Sequence, residues 1–82
     1  MRFSTETLTK FLSRNFYISP RLIAPQKRFY ADLGMNSLEF LEVVAYLENT
    51  YGITLPDQEI DRVQTVEELA SLMEANLVAV RA

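Results

Sequence analysis

Apolar residues in this chain recur at helical spacing, and no segment alternates with period two for long enough to make a convincing strand. Cap and breaker residues cut that periodicity into segments. Ser4 is a good N-cap, and Phe3 with Leu8 fits a hydrophobic staple around it. Leu8, Phe11 and Leu12 then share one face, so a first helix is predicted over about Thr5 to Asn15. Asn36 opens a second helix, with Glu39 completing a capping-box pattern, and it runs to about Thr50 before Gly52. Thr65 and Glu68 form a second such pattern, opening a last helix to about Val78 on the stripe Val66, Leu69, Met73 and Leu77. Asp57 to Asp61 allows one short helical turn, and Ile53-Thr54-Leu55 reads as a buried crossing loop.

Pro20 and Pro25 forbid a helix through the stretch from Phe16 to Met35. That stretch is predicted to be mostly loop, with a single turn starting at Ser19-Pro20. A loop this long is usually functional or disordered. Leu22, Ile23, Phe29, Tyr30 and Leu33 lie within it and are expected to pin it to the core. The predicted fold is all-α: a four-helix bundle with three long helices and one short, built as a single domain over residues 1–82. At 82 residues such a chain buries roughly 60% of its unfolded surface, enough to fold alone with a narrow margin.

The residue inventory excludes whole classes of chemistry. There is no cysteine and no histidine. Disulfides, Cys/His zinc sites, a Ser-His-Asp triad and a Cys-His dyad are therefore impossible within this chain. Asp57, Glu59 and Asp61 are spaced to form a weak divalent-cation site, but solvated loop carboxylates are the better reading. No apolar run approaches the ~20 residues of a membrane span. The Met1-Arg2-Phe3-Ser4 start lacks a signal-like apolar core, so a cytoplasmic or equivalent location is expected.

Charge is divided unevenly. Residues 1–28 carry six bases against one acid, net +5, and residues 29–82 carry ten acids against two bases, net −8. The acidic part argues against nucleic acid and favours a partner with a basic patch. The basic part is too diffuse to mark a nucleic-acid site.

At about 100° per residue, Phe40, Val43, Val44, Leu47 and Tyr51 form the core stripe of the second helix. Leu38, Leu41 and Ala45 fall in a separate sector, interleaved with Glu42, Glu48 and Asn49. An apolar strip with an acidic rim fits a docking surface. Packing of Leu38 and Leu41 beneath the long loop is the alternative. Ser37 sits at the first turn, where partial positive charge and free N–H groups favour a phosphoryl substituent, although a serine there is most often a cap.

The run Phe29-Tyr30-Ala31-Asp32-Leu33-Gly34-Met35-Asn36-Ser37-Leu38 resembles the phosphopantetheine attachment motif of acyl carrier proteins. In that motif Asp-Leu-Gly is followed, after two residues, by Ser-Leu. The similarity continues through Glu42, Leu47, Glu48 and Tyr51, then Ile53 to Glu59 and Thr65-Val66, covering about residues 29–77.

The resemblance implies a carrier and not an enzyme. A phosphopantetheinyl transferase would move 4′-phosphopantetheine from coenzyme A onto Ser37, and acyl groups would ride on the arm's thiol as thioesters. It also implies that acyl-transferring and condensing enzymes of fatty-acid or polyketide-type synthesis, bearing basic docking patches, read Leu38, Leu41, Glu42, Ala45 and Glu48 on a monomeric carrier. Asn36 departs from the family, which usually has Asp before the serine. Asn caps as well as Asp, but lacks the charge a transferase can read, so Asn36 joins the docking residues. An aminoacyl or peptidyl carrier is one alternative; such domains often have Gly-Gly before the motif, whereas Gly34-Met35 here looks more like the acyl type. An unmodified interaction subunit is another.

Overall fold

The computed structural model describes residues 3–81; Met1, Arg2 and Ala82 lie outside the described residues. Among the described residues four α-helices follow one another: α1 (Thr5–Phe16), α2 (Ser37–Tyr51), α3 (Asp57–Ile60) and α4 (Val66–Arg81). A single 3₁₀ turn, Pro20–Leu22, interrupts the long α1–α2 loop, and among the described residues the only β-type pairing is one isolated bridge, Arg28 to Thr65.

Local chemistry sets the helix ends. Ser4 Oγ accepts the Thr7 N–H at 3.2 Å, and Phe3 and Leu8 are both buried, as the staple pattern requires. α1 runs one residue past Asn15 and ends on Tyr17 in the left-handed region at φ 57°. α2 starts at Ser37 with Asn36 as its cap, and Gly52 at φ 66° ends it. α4 extends to Arg81, three residues beyond the predicted end, since nothing from Ala79 onward breaks the helix.

The core forms between the stripes. Phe40, Val43, Val44 and Leu47 of α2 face Leu8, Phe11 and Leu12 of α1 and Val66, Leu69, Ala70, Leu72 and Met73 of α4 across one buried cluster. Each such side chain larger than that of Ala70 contributes on the order of 1.5–3 kcal/mol of burial. Ile53 and Leu55 are buried, as expected of a crossing loop.

The long loop is pinned differently from the expectation. Ile23 and Phe29 are buried and Leu33 is partly so, but Leu22 is 60% exposed and Tyr30 47% exposed. Leu22 closes the 3₁₀ turn on its solvent side. Tyr30 lays its ring edge-on to Phe40 at 5.8 Å, covering the core without entering it. Backbone bonds do the rest: Phe29 N–H to Gln64 C=O, Val66 N–H to Lys27 C=O and Glu67 N–H to Pro25 C=O strap the loop to the start of α4.

Candidate functional site

The segment before α2 is a hydrogen-bonded scaffold for that helix's N-terminus. Phe29 is fully buried and packs on Phe40 with ring centroids 5.0 Å apart. The chain then turns back on itself: Gly34 N–H reaches Tyr30 C=O, and Met35 N–H reaches Phe29 C=O. Gly34 lies at φ 72°, a conformation that costs a side-chain-bearing residue about 1–2 kcal/mol. Asp32 closes the turn. Its carboxylate accepts the Arg28 N–H at 2.8 Å and faces the Arg28 guanidinium at 3.2 Å. The backbone bond first, then the guanidinium, hold the Asp32 carboxyl below its usual range.

Asn36 and Glu39 form a reciprocal capping box. Asn36 Oδ1 accepts the Glu39 N–H at 2.8 Å, and Glu39 Oε1 accepts the Asn36 N–H at 2.9 Å. The cap therefore uses Asn36 and leaves Ser37 out. Ser37 is the first helical residue, exposed, with its own amide and that of Leu38 at the open helix end. That is an accessible hydroxyl beside partial positive charge, and it fits a phosphodiester substituent. A fully buried or cap-bonded serine would not.

The outward sector of α2 is open. Leu38 is 68% and Leu41 52% exposed, so neither packs beneath the long loop. Ala45 and Glu42 are exposed with them. Glu48 departs from the expected rim: it is only half-exposed, and its Oε2 accepts the Leu55 N–H at 2.7 Å. The reason is angular. Glu48 points toward the α2–α3 crossing loop, whose buried Leu55 amide needs an acceptor.

Two features of this region escaped sequence reasoning. A cleft of about 220 Å³ lies beside the α2 N-terminus, lined by Phe16, Ile18, Leu33, Met35, Glu39 and Glu42. Phe16, assigned to a loop, is the last residue of α1, and its ring faces Tyr46 of α2 at 5.8 Å. Tyr46 lies on the border between the core stripe and the outward sector, where angular position on the helix does not decide which way a ring packs. Asp57, Glu59 and Asp61 are exposed, and among the described residues no three acids converge on a common point that would hold a metal ion. No described helix is long and apolar enough to cross a membrane.

Residues 6–73 match the family described as phosphopantetheine attachment site. The chain is 37% identical over 54 residues to an acyl carrier protein of Helicobacter hepaticus, covering 66% of this chain and 71% of that one. It is 34% identical over 79 residues to the mitochondrial acyl carrier protein 2 of Arabidopsis thaliana, covering 80% of this chain and 63% of that one. An acyl carrier protein of Wolinella succinogenes is 32% identical over 59 residues, covering 72% of this chain and 78% of its own.

Proposed function

The chain belongs to the acyl carrier protein family, and from that premise we propose that Ser37 carries its prosthetic arm. The protein is a carrier and not an enzyme, and it holds acyl intermediates on covalently attached 4′-phosphopantetheine. That group supplies the thiol that a chain without cysteine lacks. A phosphopantetheinyl transferase and acyl-processing enzymes are its partners.

The observation that carries the assignment is the separation of tasks at the α2 N-terminus. Asn36 and Glu39 satisfy the cap between themselves, so the Ser37 hydroxyl is free to be esterified. The partial positive charge of the helix end then lies beside the phosphodiester.

Docking falls to Leu38, Leu41 and Ala45, with Glu42 as the charged rim and Asn36 at the modification end. An apolar centre with an acidic edge suits enzymes that present basic patches around apolar residues. The chain acts as one carrier domain and as a monomer, in fatty-acid or polyketide-type synthesis.

Intact-mass measurement after incubation with coenzyme A and a broad-specificity transferase tests the assignment. The parent gains one arm, and Ser37→Ala gains none while keeping its helical spectrum. A mass gain in folded Ser37→Ala would overturn it. Loading of the armed protein by a malonyl transferase, and not by an amino-acid-adenylating enzyme, tests the pathway.

A further inference from the structure

Next to the outward strip of α2, and sharing Glu42 and Ala45 with it, lies a notch. Phe16 of α1 and Tyr46 of α2 form its aromatic wall, and Glu42, Ala45 and Asn49 complete it. The wall is fixed. Tyr46 meets Phe11 edge-on at 5.5 Å and Phe16 at 5.8 Å, and Phe11 lies 6.2 Å from Phe16. Tyr46 nevertheless remains 48% exposed, so the triad orders the ring without covering it. Glu42 stands one helical turn before Tyr46 and is exposed, with no ion pair among the described residues. Asn49 extends the same edge with an exposed amide.

A half-exposed aromatic ring beside an unpaired carboxylate selects for a cation that is both planar and hydrogen-bonding. A guanidinium stacks on the ring and donates to the carboxylate together, whereas an ammonium is a compact, strongly hydrated charge. An anion is excluded by Glu42. The chain supplies no cation of its own here, since no basic residue lines the notch.

We propose that this notch is an arginine subsite: a partner protein seated on the α2 strip places one arginine against Tyr46 and Glu42. Charge complementarity argues for that occupant, and so does continuity, because Glu42 and Ala45 belong to both the strip and the notch. The subsite rests on reading α2 as the docking face. It makes Tyr46 a determinant of which basic partners bind, favouring arginine over lysine at one position.

The test titrates the arm-bearing protein with three short amphipathic helical peptides that differ only in one central residue: arginine, lysine or citrulline. Two-dimensional NMR follows the Tyr46 ring and the Asn49 side-chain amide. The arginine peptide is expected to bind roughly threefold more tightly than its lysine twin, and citrulline most weakly. Glu42→Gln and Tyr46→Ala each remove the preference, and Tyr46→Phe keeps it. Equal affinity for the three peptides overturns the proposal, as does a preference that survives Glu42→Gln. So does concentration-dependent self-association that shifts the same signals, because a second copy would then be the occupant. The peptide comparison needs no variant, so it stands even if Tyr46→Ala unfolds. Arm attachment to Ser37 is read by mass on the same samples, so failure of the notch and failure of the Ser37 assignment are separate results.

Discussion

Glu48 Oε2 accepts the backbone N–H of Leu55 at 2.7 Å, joining α2 to the crossing loop seven residues on. Leu55 is 1% exposed, so its amide has little access to water as a substitute partner. A hydrogen bond to a charged acceptor contributes about 1.5–3 kcal/mol in favourable cases, and partial exposure of Glu48 lowers that. Glu48→Ala should therefore cost about 1–2 kcal/mol, a fall in melting temperature of several degrees for a domain this size. Glu42→Lys, at an exposed position with no partner, should stay within about 0.5 kcal/mol. Thermal melts of the two variants check this. Equal melting temperatures would mean the Glu48 bond contributes nothing.

Glu48 also shows where sequence reasoning stops. Its position on the helix was readable, and so were the side-chain caps that open α1, α2 and α4, because Ser4, Asn36 with Glu39, and Thr65 with Glu68 act within three residues of themselves. The core stripes were readable because helical spacing alone brings Val43 and Leu47, or Leu69 and Met73, to one side. What Glu48 bonds to was not readable, since Leu55 approaches only after the chain has turned at Gly52. The same holds for Phe16 and Tyr46, whose rings meet across two helices. Leu22 and Tyr30 are apolar residues in a loop, and composition cannot tell which of five such residues point inward.

Asn36 separates capping from recognition. As a cap it accepts the Glu39 N–H through Oδ1, a task an Asp oxygen performs equally well. Asn36→Ala should cost about 1 kcal/mol, and Asn36→Asp should leave stability unchanged to a few tenths. Asp would leave one carboxylate oxygen exposed beside Ser37, available to a basic pocket on a transferase. Asn36→Asp should therefore raise arm transfer by a fatty-acid-type transferase about tenfold at low salt, equivalent to ~1.4 kcal/mol. Equal transfer rates for the two proteins would reduce position 36 to a cap.

Tyr17 ends α1 at φ 57° with 91% of its surface exposed. A tyrosine in the left-handed region is strained, and its exposure leaves little packing to offset that. Tyr17→Gly should relieve the strain and, after the added freedom of the unfolded chain, gain from a few tenths to ~1 kcal/mol. Chemical denaturation of the variant is the measurement. A loss of stability would show that the tyrosine ring is held by interactions that outweigh the backbone.

Acid should loosen the site through Glu68. Its Oε1 accepts the N–H groups of Gln64 and Thr65, each at 2.9 Å, and the Thr65 hydroxyl at 3.2 Å. Bonds to the charged form, the Gln64 N–H foremost, hold the Glu68 carboxyl below the usual carboxylate range. A depressed folded pKa means that the unfolded chain binds the proton more readily. The stabilisation is thus complete above the unfolded value and is lost as pH falls through the folded one. Between neutrality and about pH 5 this group should change nothing, and the loss should set in below that. The consequence reaches α2 through the backbone. Gln64 C=O holds the Phe29 N–H, Phe29 C=O holds the Met35 N–H, and Met35 leads directly into Asn36 and Ser37. Glu68→Gln keeps an acceptor but cannot titrate, so its stability should fall less steeply between about pH 5 and 3 than that of the parent. Denaturant midpoints measured for both proteins across that range decide the matter. Parallel curves would mean that the acid sensitivity arises elsewhere, with Asp32 and its Arg28 partner the next group to replace.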